Sequence, residues 1–175
     1  PRLFNDNKLV LQNEYRQITK KSLTIIDSSI TKGHKSSVND NKDTRSHFFT
    51  NSKIDLDLND YISSNLEINY EKVSNDNYLK LFNFIESALL KKDNSTLESF
   101  IRLDLAHEKF DLSTSFEMYE TLIGSNTDRY QYVLPSYNFS KNFAIENLNG
   151  SFNFDSSGDN ILSDTNVVTS SFSNN

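Results

Sequence analysis

LESFIRLDLAHEKFDLSTSFEMYETLIGSNTDRYQYVLPSYNFSK, residues 97–141, holds two alternating runs in tandem and then a third that is rich in tyrosine. In the first, Leu97, Ser99, Ile101, Leu103 and Leu105 share one parity while Glu98, Arg102, Asp104 and Ala106 share the other, broken only by Phe100. In the second, Phe110, Leu112, Thr114, Phe116 and Met118 interleave with Lys109, Asp111, Ser113, Ser115 and Glu117. Successive side chains of a strand point to opposite faces, so a period of two predicts β-structure. Only His107 and Glu108 are left for the connection, which makes the two runs antiparallel neighbours. The third run puts Tyr130, Tyr132 and Leu134 on one face, shifts phase at Pro135 and continues with Tyr137 and Phe139; a bulge at the proline is the simplest cause. Each run is about twice the five or six residues of a typical soluble strand. That length is close to what a tilted strand needs to cross a bilayer.

Working outward, residues 8–19 and 22–31 form a predicted hairpin around Lys20-Lys21, and residues 32–44 are polar without periodicity, a long loop. Strand pattern resumes near Arg45. Ile54, Leu56 and Leu58 alternate with Lys53, Asp55 and Asp57; after a connection at 59–64, Leu66, Ile68 and Tyr70 alternate with Glu67, Asn69 and Glu71, in a run extensible to Phe82. Residues 84–92 have the spacing of a short helix inside a second long loop. After a loop at 122–128 and the tyrosine-rich run, a connection near 142–147 leads to strands at 148–156 and 161–172. The expected fold is all-β, an antiparallel up-and-down meander of about nine strands. Short connections near residues 20, 60 and 108 alternate with longer ones, as in a barrel whose one rim carries tight turns and whose other rim carries loops.

Only 35% of residues are hydrophobic and the mean hydropathy is -0.60, yet the sustained alternation and 12% aromatics exclude a disordered chain. A net charge of -6 with scattered Lys and Arg supplies no basic patch, so nucleic acid is not an expected partner. The absence of cysteine removes thiolate catalysis and zinc-thiolate sites. No apolar run is long enough for a transmembrane helix, a test blind to barrel strands. The chain starts at Pro1 without a methionine and reads as a piece of a longer polypeptide.

Asp55, Asp57, Asn59 and Asp60 have calcium-loop spacing, but the glycine and glutamate of an EF-hand loop are missing and Leu56 and Leu58 hold strand phase. The segment 155–160 (DSSGDN) reads as a hairpin turn. His34, His47 and His107 stand far apart, without metal-ligand or triad spacing. No catalytic residue, metal site or cofactor is therefore expected, and the chain is not expected to be an enzyme. Mid-strand charges read as the wet face, and strand-end tyrosines and phenylalanines as an interfacial girdle in place of a ligand cleft. The Asn-x-Ser/Thr triplets at Asn94, Asn138 and Asn149 are expected by chance in so Asn- and Ser-rich a chain.

Periodicity alone leaves a barrel and a soluble sandwich open. Further landmarks are Pro1-Arg2-Leu3 followed by LVLQNEYR at 9–16, NYEKVSNDNYL at 69–79, Phe110 to Tyr119, and DRYQYVLPSYNFS at 128–140. In this order they resemble the β-barrel domain of the LPS-assembly protein family, LptD, also called organic solvent tolerance protein. The resemblance implies part of the N-terminal half of a large transmembrane β-barrel in the Gram-negative outer membrane. Such a barrel takes lipopolysaccharide from a periplasmic bridge protein, LptA, holds a plug lipoprotein, LptE, and inserts lipopolysaccharide into the outer leaflet. The family's periplasmic jellyroll, disulfide cysteines and closing strands lie outside this segment, and no lateral-gate residue carries over. On this reading Glu67, Glu71, Arg102, Asp104, Asp111 and Glu117 line a wet lumen, and Leu103, Leu105, Phe110, Leu112, Phe116 and Met118 face membrane lipid. The alternatives are a porin or receptor barrel and a soluble β-sandwich that binds a ligand.

Overall fold

The computed structural model describes residues 2–4, 8–34, 43–81, 87–89, 95–123, 129–145, 150–163 and 167–175. Ten strands, β1 (Arg2–Phe4), β2 (Lys8–Ile18), β3 (Ser22–His34), β4 (Asp43–Asp55), β5 (Ser63–Val73), β6 (Thr96–His107), β7 (Phe110–Thr121), β8 (Tyr130–Ile145), β9 (Gly150–Ser163) and β10 (Val167–Asn174), form one sheet. Every strand pairs antiparallel with its neighbours in chain order. The meander is as the alternation predicts; the additional strand is the three-residue β1. Because the order is strictly sequential, β2–β3, β4–β5 and β6–β7 turn back on one rim by tight connections, and the long connections share the other.

The tight rim is built from side chains that replace the missing ladder bonds. The Thr19 hydroxyl accepts from the backbone N–H of Lys21 and of Ser22, at 3.2 and 2.9 Å. β4 stops at Asp55, short of the expected Leu58, because Asp57 takes a positive φ of 49° and its N–H is donated to the Asp55 carboxylate at 2.9 Å. Asp57 then pairs with Lys21 of the adjacent turn, so this acidic cluster ties two turns together. The β6–β7 turn is Glu108-Lys109, one residue beyond the expected pair, and His107 Nδ1 accepts from the Lys109 N–H at 3.1 Å.

At the other rim β3 and β4 stay paired to Lys32↔Thr44 and, past a bulge, His34↔Asp43, so both ends of the polar loop expected at 32–44 are strand, and its residues 35–42 lie outside the described residues. β5 does not continue to Phe82. Asn75 Oδ1 accepts from the Asn77 N–H at 3.0 Å and the Asn75 carbonyl from the Tyr78 N–H at 2.9 Å, a local alternative to the ladder that leads into one helical turn, α1 (Tyr78–Leu81). The helix expected at 84–92 lies mostly outside the described residues; 87–89 are not helical.

β8 runs on to Ile145, past the expected end near Lys141, and carries the bulge at its proline: Ser115 faces Ser136, but Glu117 faces Val133. The segment 155–160, expected as a turn, lies inside β9. Gly158 stands there for a steric reason. Tyr137 is directly opposite, and a Cβ on residue 158 would sit 2.8 Å from Tyr137 Cε1 and 3.1 Å from the Ser171 carbonyl oxygen. Gly158→Val is accordingly expected to cost about 1–3 kcal/mol by overpacking, read as a lower urea midpoint of the full-length protein, with Tyr137→Ala restoring part of the loss.

The buried apolar cluster is small: Val10, Phe49, Val73, Tyr78, Leu79, Leu97 and Leu122, with Leu89 packed against it. It lies toward the long-connection rim, where Tyr78 and Leu79 of α1 pack against Val10 of β2, Phe49 of β4 and Val73 of β5.

Candidate functional site

The registers divide the strand residues between two faces. Glu67 is opposite Arg102, Asp104 opposite Ser113 and Asp111 opposite Ala106, while Leu66 is opposite Leu103, Leu105 opposite Leu112 and Ile101 opposite Phe116. Glu67, Glu71, Arg102, Asp104, Asp111 and Glu117 thus occupy one face. Leu103, Leu105, Phe110, Leu112, Phe116 and Met118 occupy the other.

The apolar face extends across the whole sheet. Leu11, Tyr15, Ile30, Phe48, Tyr70, Ile101, Phe116, Leu134, Phe143 and Phe152 all belong to it and all are exposed. Its charges in β2–β9, among the described residues, are Lys32, Lys72, Glu120 and Lys141: the first three lie within two residues of the end of their own strands, and Lys141 is opposite Phe110, the first residue of β7. Aromatic rings band it on the tight rim: His107 stacks on Phe110 with centroids 4.9 Å apart, Tyr61 meets both edgewise, and Phe110–Phe139 and Phe143–Phe152 follow at 5.9 and 6.1 Å. Near the opposite rim are Tyr70 with Phe48, and Tyr130 with Tyr132.

The charged face carries matched pairs. Arg102 Nη2 donates to Glu117 Oε1 at 3.3 Å, and the same carboxylate accepts from Ser115 at 2.8 Å and Tyr119 at 2.6 Å. The guanidinium also covers the ring of Phe100, 4.6 Å from its centroid, which explains how the one aromatic that breaks the β6 alternation is tolerated on this face. Lys53 meets Glu67 at 3.4 Å, and the Ser113 hydroxyl donates to Asp104. Asp111 is exposed. Glu71 differs from the expectation of a wet residue: it is 6% exposed. Beyond Asn69↔Phe100 the β5–β6 ladder ends, and Glu71 Oε2 accepts the Glu98 N–H at 2.9 Å while Ser99 Oγ accepts the Glu71 N–H at 3.1 Å. Side chains bridge the backbones where the strands part.

Two arrangements were not visible as spacings. His47 Nε2 lies 3.0 Å from Asp27 Oδ2, its Nδ1 lies 2.8 Å from Ser29 Oγ, and Ser29 meets the Tyr78 hydroxyl. With Asp27 ionised, one donor direction satisfies all of them: Tyr78 O–H to Ser29, Ser29 O–H to His47 Nδ1, His47 Nε2–H to Asp27. Burial raises the Tyr78 phenol above its usual pKa, keeping it protonated. The Ser-His-Asp order resembles a nucleophilic triad, but the Asp27 and His47 side chains are wholly inaccessible and Ser29 is 5% exposed, so no substrate reaches the hydroxyl. The network anchors Tyr78 of α1 to the charged face, where the Glu14 carboxylate also accepts the Ala88 N–H at 3.3 Å. The second arrangement sits at the long-connection end of the apolar face. Glu120, 2% exposed, receives Lys72 at 3.0 Å, Tyr130 at 3.1 Å and Arg129, whose guanidinium also grips Asp76 at 2.7 and 3.1 Å.

The sheet thus combines long strands, an apolar face banded by aromatics and a charged face with internal pairs. No curated protein and no solved structure matches the chain. The profile of one protein family, described as LptD, LPS transport system D, matches residues 43–170, well over half of the sequence. The match spans β4 to β10, the strands that carry both faces of the site, and the chain belongs to the LptD family.

Proposed function

We propose that this chain is a section of the wall of an outer-membrane β-barrel that moves lipopolysaccharide to the outer leaflet. The observation that carries the reading is the confinement of charge on the apolar face to strand ends. A charge on the lipid side costs about 2–4 kcal/mol at the midplane and close to nothing at the interfaces, which is the distribution that Lys32, Lys72, Glu120 and Lys141 follow. A strand of about twelve residues is roughly 40 Å long, and tilted by about 45° it covers the hydrocarbon thickness.

On this reading Leu103, Leu105, Phe110, Leu112, Phe116 and Met118 meet lipid. Glu67, Arg102, Asp104, Asp111 and Glu117 line a wet lumen that accommodates the sugar and phosphate parts of lipopolysaccharide, while its acyl chains travel elsewhere. Glu71 supports the wall where β5 and β6 part. The chain does no covalent chemistry and needs no cofactor. On the same reading the lumen holds a plug lipoprotein of the LptE kind, and the substrate arrives from a periplasmic bridge of the LptA kind.

The test uses the full-length protein with a photo-crosslinking side chain at Asp111 or at Leu112, adjacent residues on opposite faces. During transport, Asp111 is expected to capture lipopolysaccharide and Leu112 mainly membrane phospholipid. Equal capture from both positions would remove the assignment of the charged face to lipopolysaccharide passage.

A further inference from the structure

β5 and β6 are paired along only part of their length. Seven backbone pairs run from Ser63↔Ala106 to Asn69↔Phe100 and stop there, although β5 continues beside β4 to Val73↔His47 and β6 begins beside β7 at Thr96↔Thr121. Continued in the same register, Glu71 would face Glu98. Side chains take the place of that pair: Glu71 Oε2 accepts the Glu98 N–H at 2.9 Å, Ser99 Oγ accepts the Glu71 N–H at 3.1 Å, and Asn69 Nδ2 donates to the Glu98 carbonyl at 2.6 Å. Over the same place the apolar face has a depression of about 290 Å³, lined by Tyr70, Ser99, Ile101 and Phe116 among others.

Nearer the long-connection rim, ion pairs cross the line where the ladder is missing. From the β5 side, Lys72 reaches Glu120 at 3.0 Å and the Tyr130 hydroxyl at 3.2 Å, and Asp76 is gripped by Arg129 at 2.7 and 3.1 Å. These bonds can break without leaving a buried charge unpaired, the usual cost of opening an ion pair. Glu120, 2% exposed, keeps Arg129 and Tyr130, which lie on its own side of the line. The side chains that would let go, Lys72 and Asp76, are already 43% and 38% exposed. The buried apolar cluster also crosses the line, through Leu97 and Leu122, and non-directional contacts of that kind close the gap without fixing a register.

We propose that this line is a hinge in the wall. β1–β5 and β6–β10 each move as a unit, joined through the pairs from 63–69 to 100–106, and splay apart at the long-connection rim, which widens the wet side as cargo passes. The placement of the break favours motion over a static gap. Backbone groups unpaired against hydrocarbon are costly, whereas the side-chain bonds of Asn69, Glu71 and Ser99 can be exchanged for water from the charged face. The proposal rests on the chain forming the wall of a lipopolysaccharide-conducting barrel.

The experiment begins with residue-resolved amide hydrogen exchange of the full-length protein in phospholipid vesicles. The Glu71 and Glu98 amides are expected to exchange about a hundredfold faster than those of Glu67 and Arg102, the facing pair lower in the same two strands. Glu71→Leu should speed Glu98 further and leave Arg102 unchanged. Asp76→Asn, which alters only the clasp at the rim, should speed Glu98 as well. Equal protection of Glu98 and Arg102 overturns the hinge. Its use in transport is read by bridging Tyr70→Cys to Ser99→Cys, the first facing positions above the last backbone pair, with a reducible bis-thiol linker. The bridge is expected to slow lipopolysaccharide delivery about tenfold, with recovery on reduction, while the same bridge between Ile68→Cys and Ile101→Cys, where the ladder is intact, changes nothing. Fast exchange at Glu98 with delivery indifferent to the upper bridge overturns the widening during passage. Absence of lipopolysaccharide delivery by the unaltered protein overturns the transport reading, and the exchange rates still decide the hinge.

Discussion

Phe116→Arg is expected to lower the stability of the full-length protein in the membrane by about 2–4 kcal/mol, while Asn138→Arg changes it by less than about 1 kcal/mol. Phe116 lies in the middle of β7, is 50% exposed and points from the apolar face, opposite Ile101. An arginine there has no water and no acidic neighbour on its own face; the nearest carboxylates, such as Glu117, belong to the other side. Asn138 is exposed on the charged face, opposite Ser113, whose hydroxyl is bound to Asp104. A guanidinium at 138 therefore enters a polar, acidic surface. Equilibrium unfolding from lipid vesicles, followed by the shift in gel mobility between folded and unfolded barrel, measures both variants. Equal tolerance of arginine at the two positions would mean that neither face meets hydrocarbon, and the soluble-sandwich alternative would return.

The contrast in that experiment was legible in the sequence because it depends on parity alone. Once residues 97–118 alternate, Phe116 and Glu117 cannot share a face, whatever the rest of the chain does. The phase shift at Pro135 was readable for the same reason, and β8 and β9 do skip register there. What parity cannot supply is the end of a strand. Asp57 and Leu58 keep perfect alternation, but the backbone has already left the sheet, because an Asp two residues earlier offered its carboxylate to the Asp57 N–H. The opposite error occurred at Gly158, where a sequence rich in turn formers stays extended because a tyrosine on the neighbouring strand needs the space. The first outcome was decided by a local side-chain bond that parity does not encode, the second by a contact outside the window that the pattern occupies.

The ion cluster at Glu120 and the network at His47 were hidden for a related reason. Lys72 and Glu120 are 48 positions apart and Ser29 and Tyr78 are 49 apart, so no local spacing signals them. A signal exists only at second order. Asp27, Ser29, His47 and Val73 fall on one parity class of three successive strands, and the register of those strands then puts Ser29 opposite His47 and His47 opposite Val73. Register was the missing quantity: no tight turn joins β3 to β4, and the turn that joins β4 to β5 is made of an Asp55 side-chain bond, not of a recognisable turn dipeptide.

His47→Ala is expected to produce the largest loss of any single change in this segment, about 3–5 kcal/mol. The cost is not that of a surface ion pair. Both side chains are fully inaccessible, so removing the imidazole leaves the Asp27 carboxylate in a site that water does not enter, with Gln12 at 3.4 Å and Ser87 as its remaining side-chain partners. It also breaks the chain of donors at its centre: Ser29 loses its acceptor, and the Tyr78 ring loses the imidazole it packs against. Since Tyr78 and Leu79 pack into the cluster with Val10, Phe49 and Val73, the segment 74–81 should detach from the charged face. Limited proteolysis of the full-length protein is expected to cleave the variant within that segment and to spare the unaltered protein. Asp27→Leu combined with His47→Leu removes both buried polar groups and should recover most of the stability, because no unpaired charge remains. A double-mutant cycle then separates the roles. If His47→Ala costs less than about 1 kcal/mol and the segment stays protected, apolar contacts around Tyr78 hold it in place and the buried hydrogen bonds merely fill the space beneath it.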